Sequence, residues 1–175
     1  MKYSDIYRLY STSQPKDAIH QALREVPVDD SDEQYEDRSP LHLACQYGDT
    51  EGVKILLERD AEPNTKDANG STPIHILGRT SAGCADEDKL KEIAVMLIEQ
   101  GANIPRSAKN TTALIECIRN RHFKMAEAII DSGARVNSTD LNGENVLFGF
   151  CAASGDIRRD IRFAKKELDL SLIHI

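Results

Sequence analysis

Residues 37–67 read DRSPLHLACQYGDTEGVKILLERDAEPNTKD, and this stretch decides the fold. Ser39 stands where a helix needs a cap, because its hydroxyl can take a backbone N–H that the first turn leaves unpaired. Pro40 follows at the first helical position, where a missing N–H costs nothing. A short apolar helix carrying Leu41, Leu43 and Ala44 comes next. A turn around Gly48 leads to a second helix, whose Val53, Leu56 and Leu57 share one face at spacings of three and four. Asp60 closes that helix in the position glycine fills best.

The pattern then restarts. DANGSTPIHIL begins at Asp67 and the unit runs on to IAVMLIEQGANIPRS, so that Pro40 and Pro73 lie 33 residues apart. A third unit, AKNTTALIECIRNRHFKMAEAIIDSGARVNST, covers 108–139, and DLNGENVLFGFCAASGD opens a fourth at Asp140. Pro40 to Ala61 and Ala113 to Ala134 both span 21 residues, whereas Pro73 to Ala102 spans 29. The second unit therefore holds an insertion of 8 residues, which falls in the polar stretch RTSAGCADEDK between two helical patterns. Thr72 and Thr112 repeat the cap of Ser39, and Gly101 and Gly133 end the second helices.

SPLHLA, STPIHI, QGANI and SGARVN, set at this period, resemble the ankyrin-repeat family over residues 37–156. The resemblance implies an all-α fold: an ankyrin-repeat solenoid of stacked antiparallel helix pairs with protruding turns. The units are then 37–66, 67–107 with its insertion, 108–139, and a degenerate or truncated fourth at 140–175. Thr112-Ala113-Leu114-Ile115 lacks the family's Pro and His, and Asn145-Val146-Leu147-Phe148 lacks Thr, Pro and His, so packing is expected to be less regular there. The resemblance also implies that His42 and His75 are structural, each imidazole bonding backbone and tying neighbouring turns.

Residues 1–36 read as a degenerate terminal pair that caps the stack. The pattern predicts one helix over Ser4–Tyr10, with Tyr7 33 residues before Pro40, and another over Lys16–Val26 with Ala18, Ile19, Ala22, Leu23 and Val26 on one face. The acidic segment Val28–Glu33 is expected to be solvated. At the other end Ile157, Ile161, Ala164 and Leu168 form an apolar stripe, and the chain finishes Leu170-Ser171-Leu172-Ile173-His174-Ile175. That greasy end is expected to meet further repeats or another copy of the chain. The basic run over 158–166 reads as a solvated helix face.

Composition narrows the chemistry. Of the 175 residues 40% are hydrophobic and 29% charged, with 22 Lys+Arg against 29 Asp+Glu, a net charge of −7. An acidic chain is a poor match for nucleic acid, which demands a basic footprint. The longest aliphatic run, Ile93–Ile98, is far short of a membrane span, and no apolar signal core follows Met1. The four cysteines (Cys45, Cys84, Cys117, Cys151) form no CxxC pair, which points to a reducing, cytoplasmic setting. Cys84 has only acids beside it, Asp86, Glu87 and Asp88, which would raise a thiol pKa. Gly78 and Gly83 have phosphate-loop spacing, but Cys84-Ala85 stands where Lys-Ser/Thr is required. His20 and His174 stand alone, and His122 occupies a turn position. No catalytic residue, cofactor or metal ligand set is expected.

The expected function is a non-catalytic protein–protein interaction module that binds a partner through the concave face. The resemblance implies contact at the turn tips and at the exposed end of each first helix. By register these are Tyr35, Glu36, Arg38, Gln46 and Tyr47 in the first unit, and Asn69, Ser71 and Arg79 in the second. The third supplies Lys109, Thr111, Arg119 and Asn120, and the fourth Glu144. Tyr3, Tyr7 and Tyr10 are assigned to packing of the terminal helices. The alternative is an ankyrin segment of a larger enzyme or signalling protein whose chemistry lies outside this chain.

Overall fold

The computed structural model describes residues 1–80, 86–104 and 112–134. Readings that fall on Gly83, Cys84, Lys109, Thr111, Glu144, Cys151, the fourth unit and the C-terminal stripe lie outside the described residues. Those described form α1 (Tyr3–Ser11), α2 (Lys16–Glu25), a 3-10 turn (Glu33–Tyr35), α3 (Pro40–Gln46), α4 (Thr50–Leu57), α5 (Pro73–Gly78), α6 (Glu87–Glu99), α7 (Ala113–Arg119) and α8 (Phe123–Asp131).

The helix starts follow the capping logic. Ser39 and Thr72 form capping boxes with His42 and His75 at the third helical position, each side chain serving the other's backbone N–H. Thr112 has Ile115 at that position, so its hydroxyl accepts the Ile115 N–H at 3.2 Å with no return bond from the Ile115 side chain. The stops agree as well: Asp60, Gly101 and Gly133 all hold positive φ, at 61°, 84° and 92°.

Helices 1, 3, 5 and 7 pack side by side in one row, and helices 2, 4, 6 and 8 in a second. The α1–α2 pair stacks on α3–α4 as the later pairs stack on each other. Between the rows runs one apolar core. It includes Ile6, Leu23, Leu41, Leu56, Ile74, Leu77, Leu90, Ile93, Leu97, Leu114 and Ile129, all essentially without exposure. Each buried aliphatic side chain contributes about 1.5–3 kcal/mol, so nearest-neighbour stacking dominates stability.

Three details differ from the sequence reading. Helix α1 runs one residue further at each end than Ser4–Tyr10 and starts 37 residues before α3, and its Tyr10 stacks on Tyr47 of the first true unit. Ala18 is exposed, while Ile19, Ala22, Leu23 and Val26 are buried. Part of the polar stretch 79–89 is helical: Asp86 caps α6 by accepting the Asp88 N–H at 3.0 Å, and Glu87 begins the helix.

Candidate protein-binding face

The turns between pairs are built from acids that accept their own backbone. In the connection from α4 to α5, Asp67 Oδ1 takes the N–H groups of Asn69 (2.9 Å) and Ser71 (2.8 Å), and the Asp67 N–H donates to the Ser71 carbonyl at 2.9 Å. Gly70 sits at φ 70°, the left-handed conformation this hairpin needs. The Ala68 N–H donates to the Glu36 carbonyl at 2.8 Å, joining this turn to the preceding one.

His42 completes the tie. Its Nδ1 accepts the Ser39 N–H at 3.1 Å, so the network assigns the proton to Nε2, which donates to the Ser71 carbonyl at 3.0 Å. Burial pushes its pKa below the usual imidazole value, against smaller opposing effects of the Ser71 bond and Asp67. His75 makes the same local contacts, with Nδ1 2.8 Å from the Thr72 hydroxyl. His122 lies 2.6 Å from the Thr80 carbonyl and is buried. All three have structural partners.

The arginines at the helix ends are held by the chain's own groups. Arg38 donates to Gln46 Oε1 at 2.9 Å, pairs with Glu36 at 2.6 Å, and brings Nε to 3.7 Å from the buried carboxylate of Asp67. Arg79 donates to the Ser71 hydroxyl at 3.0 Å and pairs with Glu116 at 3.1 Å. Tyr47, 37% exposed, stacks on Tyr10 with centroids 4.8 Å apart and planes 10° apart. Tyr35 lies 4.2 Å from Tyr7 and 5.7 Å from Tyr3.

Tyr35, Glu36, Arg38, Gln46 and Tyr47 thus lie together with α1. Asn69, Arg79 and Arg119 are half-buried along the same row of turns and helix ends. Two of the expected contact residues hold the fold from within as well, and one of them is buried. Ser71 is fully buried and serves Arg79 and Asp67, so it presents no surface of its own. Asn120 spends its amide nitrogen on the carbonyls of Gly78 and Glu116, both at 3.0 Å, and locks α7 to α5.

His20 is not isolated either. Its Nε2 lies 3.0 and 3.1 Å from the two oxygens of Asp49, which is 5% exposed and accepts the Tyr10 hydroxyl at 2.8 Å. Burial first, then the Asp49 charge, push the Tyr10 pKa far above normal. Sequence reasoning missed this cluster. The 37-residue spacing of Tyr10 and Tyr47 is the signal that would have found the aromatic stack.

Little here has the makings of chemistry. Cys45 and Cys117 are fully buried free thiols, and burial raises both pKa values well above the normal thiol range. Among the described residues no three His, Cys, Asp or Glu side chains are grouped to hold a metal, and no helix is long and apolar enough to cross a membrane. A cleft of about 200 Å³ opens between α4 and α6, lined by Lys54, Leu57, Glu58, Met96, Glu99 and Gln100.

A row of capped helix pairs, tied turn to turn by buried histidines, defines the class: a stacked-repeat protein. Residues 22–77 match the family described as ankyrin repeats in many copies. This match, with the stack of capped helix pairs, supports an ankyrin-repeat protein, and ankyrin repeats are in general protein-interaction modules and in general non-catalytic. The chain is similar to a transient receptor potential cation channel subfamily A member 1 homolog of Caenorhabditis elegans, 38% identical over 69 residues, covering 39% of this chain and 6% of the relative. Mouse neurogenic locus notch homolog protein 1 is 34% identical over 108 residues, covering 61% of this chain and 4% of the relative. Ankyrin repeat protein nuc-2 of Neurospora crassa is 29% identical over 124 residues, covering 70% of this chain and 10% of the relative. The chain therefore spans a tenth or less of each of these curated relatives.

Proposed function

We propose that this array binds a partner protein through the concave side formed by its turn tips and first-helix ends, without catalysis. The observation that carries the reading is Tyr47. It is a large exposed ring held flat on the buried Tyr10, beside Arg38 and Gln46. A ring already fixed by stacking loses little entropy on binding, and tyrosine and arginine are the residues that most often anchor interfaces. Repeat boundaries at 37–66, 67–107, 108–139 and 140–175, with 1–36 as the terminal cap, belong to this proposal. So does a cytoplasmic, reducing location, which two buried free thiols suit.

A second reading is favoured by the comparisons. In relatives this much longer the matched stretch is a small part, so this chain also fits the role of a binding segment in a larger enzyme or signalling protein. The test is an affinity pull-down from native cytosol with the purified chain beside its Tyr47→Ala/Arg79→Ala variant, matched for helical content. A protein kept by the parent and lost by the variant is the expected result. Equal retention by both overturns the assignment to this face.

A further inference from the structure

The connection from α2 to α3 is chemically one-sided. It holds six carboxylates, Asp29, Asp30, Asp32, Glu33, Glu36 and Asp37, before its first cation, Arg38. Three of the six are spent inside the fold. Asp30 accepts the Tyr3 N–H at 2.7 Å, Asp32 accepts the Gln34 N–H at 3.0 Å, and Glu36 pairs with Arg38. Asp29, Glu33 and Asp37 form no ion pair among the described residues, and Asp29 and Glu33 are exposed.

An aromatic floor lies beside these acids. Tyr35 and Tyr7 are half-buried and pack together, with Tyr3 beneath at 1% exposure. The Tyr3 hydroxyl is buried beneath them without a hydrogen-bond partner. The neighbouring arginines offer nothing to an acidic ligand, because Glu36, Asp67 and Glu116 already neutralise Arg38 and Arg79. Three carboxylates of this turn are thus left without an ion pair beside two half-buried rings, and a tyrosine ring is electron-rich on its face.

Resting on the protein-binding reading above, we propose that the Tyr7–Tyr35 pair and the carboxylates of residues 29–37 dock a lysine- or arginine-rich segment of a partner protein. A cation over a tyrosine face is attracted by the ring's quadrupole, and unpaired carboxylates around it steer and orient a basic chain. The complementarity is specific to this end of the array, where acids are crowded on one turn.

The test uses the full chain and a fluorescein-labelled (Lys-Arg)3 hexapeptide, with a (Glu-Ser)3 peptide as counterpart, followed by anisotropy at low and physiological salt. The basic peptide binds and the acidic one does not. D29N/E33Q/D37N weakens binding by about tenfold or more at low salt, since three steering charges are lost. Tyr35→Ala weakens it by about threefold, the range of one exposed cation–π contact, while Tyr35→Phe keeps the ring and the affinity. A control, E58Q/E92Q/E99Q on α4 and α6, removes the same charge elsewhere and leaves binding unchanged. Equal loss in that control overturns the proposal, because net charge alone would then explain the attraction. No binding, or no loss in D29N/E33Q/D37N, also overturns it. A partner lost by Tyr47→Ala/Arg79→Ala yet kept by D29N/E33Q/D37N sinks this proposal and leaves the face itself standing.

Discussion

His42 lies at the third position of α3, with Nδ1 on the Ser39 N–H and Nε2 on the Ser71 carbonyl. Both bonds are buried, so His42→Ala strands a donor and an acceptor and is expected to cost about 2–4 kcal/mol by denaturant titration. The ring also makes stability depend on pH. Burial lowers its folded pKa, so the unfolded chain takes up a proton that the folded chain refuses. This contribution is complete above the unfolded value of about 6.5 and is lost as pH falls through the lower folded value. The unfolding midpoint should therefore drop as pH is lowered from 7.5 to about 5, with a shallower slope in His42→Gln. Gly52 is the second residue on which packing hangs. A Cβ there would lie 2.6 Å from Asp49 Oδ2 and 2.9 Å from the Tyr10 hydroxyl. Gly→Ala in a helix ordinarily stabilises by up to about 1 kcal/mol. Here the clash reverses the sign, and Gly52→Ala should lose about 1–3 kcal/mol. Tyr10→Phe should add little further loss once Gly52→Ala is present, because the same hydrogen bond has already been displaced; full additivity in the double-mutant cycle would contradict this.

At the scale of elements, the second helices end in the same left-handed residue but with different chemistry. Gly101 and Gly133 adopt it freely, whereas Asp60 holds φ 61° with a side chain. Asp60→Gly should raise stability by about 0.5–1 kcal/mol, seen as a higher denaturant midpoint at unchanged slope. Other helix ends borrow from neighbouring pairs. Arg59 donates to the Leu23 and Val26 carbonyls at 2.5 and 2.8 Å, closing α2, and Glu87 faces the first N–H groups of α8 at 3.3 Å. Asn64 reaches the other way, donating to the Gly101 carbonyl at 3.0 Å and accepting the Asn103 N–H at 2.7 Å. Starts and stops were legible because Ser, Thr, Pro and Gly act on their own local backbone. These borrowed caps were not, because Arg59 and Glu87 carry no local signal of which distant terminus they serve.

Among the described residues, each helix pair packs chiefly on its neighbours, so cooperativity is expected to be local. Tyr10 and His20 meet Asp49 at the first junction, and breaking it should free the terminal pair while sparing the rest. In Tyr10→Ala the amides of α1 and α2 should exchange with solvent faster, with those of α5 to α8 unchanged; uniform acceleration throughout would show a single cooperative unit instead. The line of candidate contact residues was legible in part for the same reason. Register placed Tyr35, Arg38, Gln46, Tyr47 and Arg79 along one line, because each repeat sets the same positions toward the same side. Register could not tell that Ser71 and Asn120 are consumed internally, since their partners, Arg79 on one hand and Gly78 with Glu116 on the other, are chosen by packing.

The amino-acid sequence alone determined the repeat period, the helix pairs and their Ser and Thr caps, because these depend on backbone geometry within one unit and on apolar periodicity. Only the tertiary structure decided the 37-residue offset of α1, the burial of Asp49 under Tyr10 and His20, and which charges on the face are already paired. Those depend on where separate units touch, and a side chain's distant partner leaves no trace in the residues beside it.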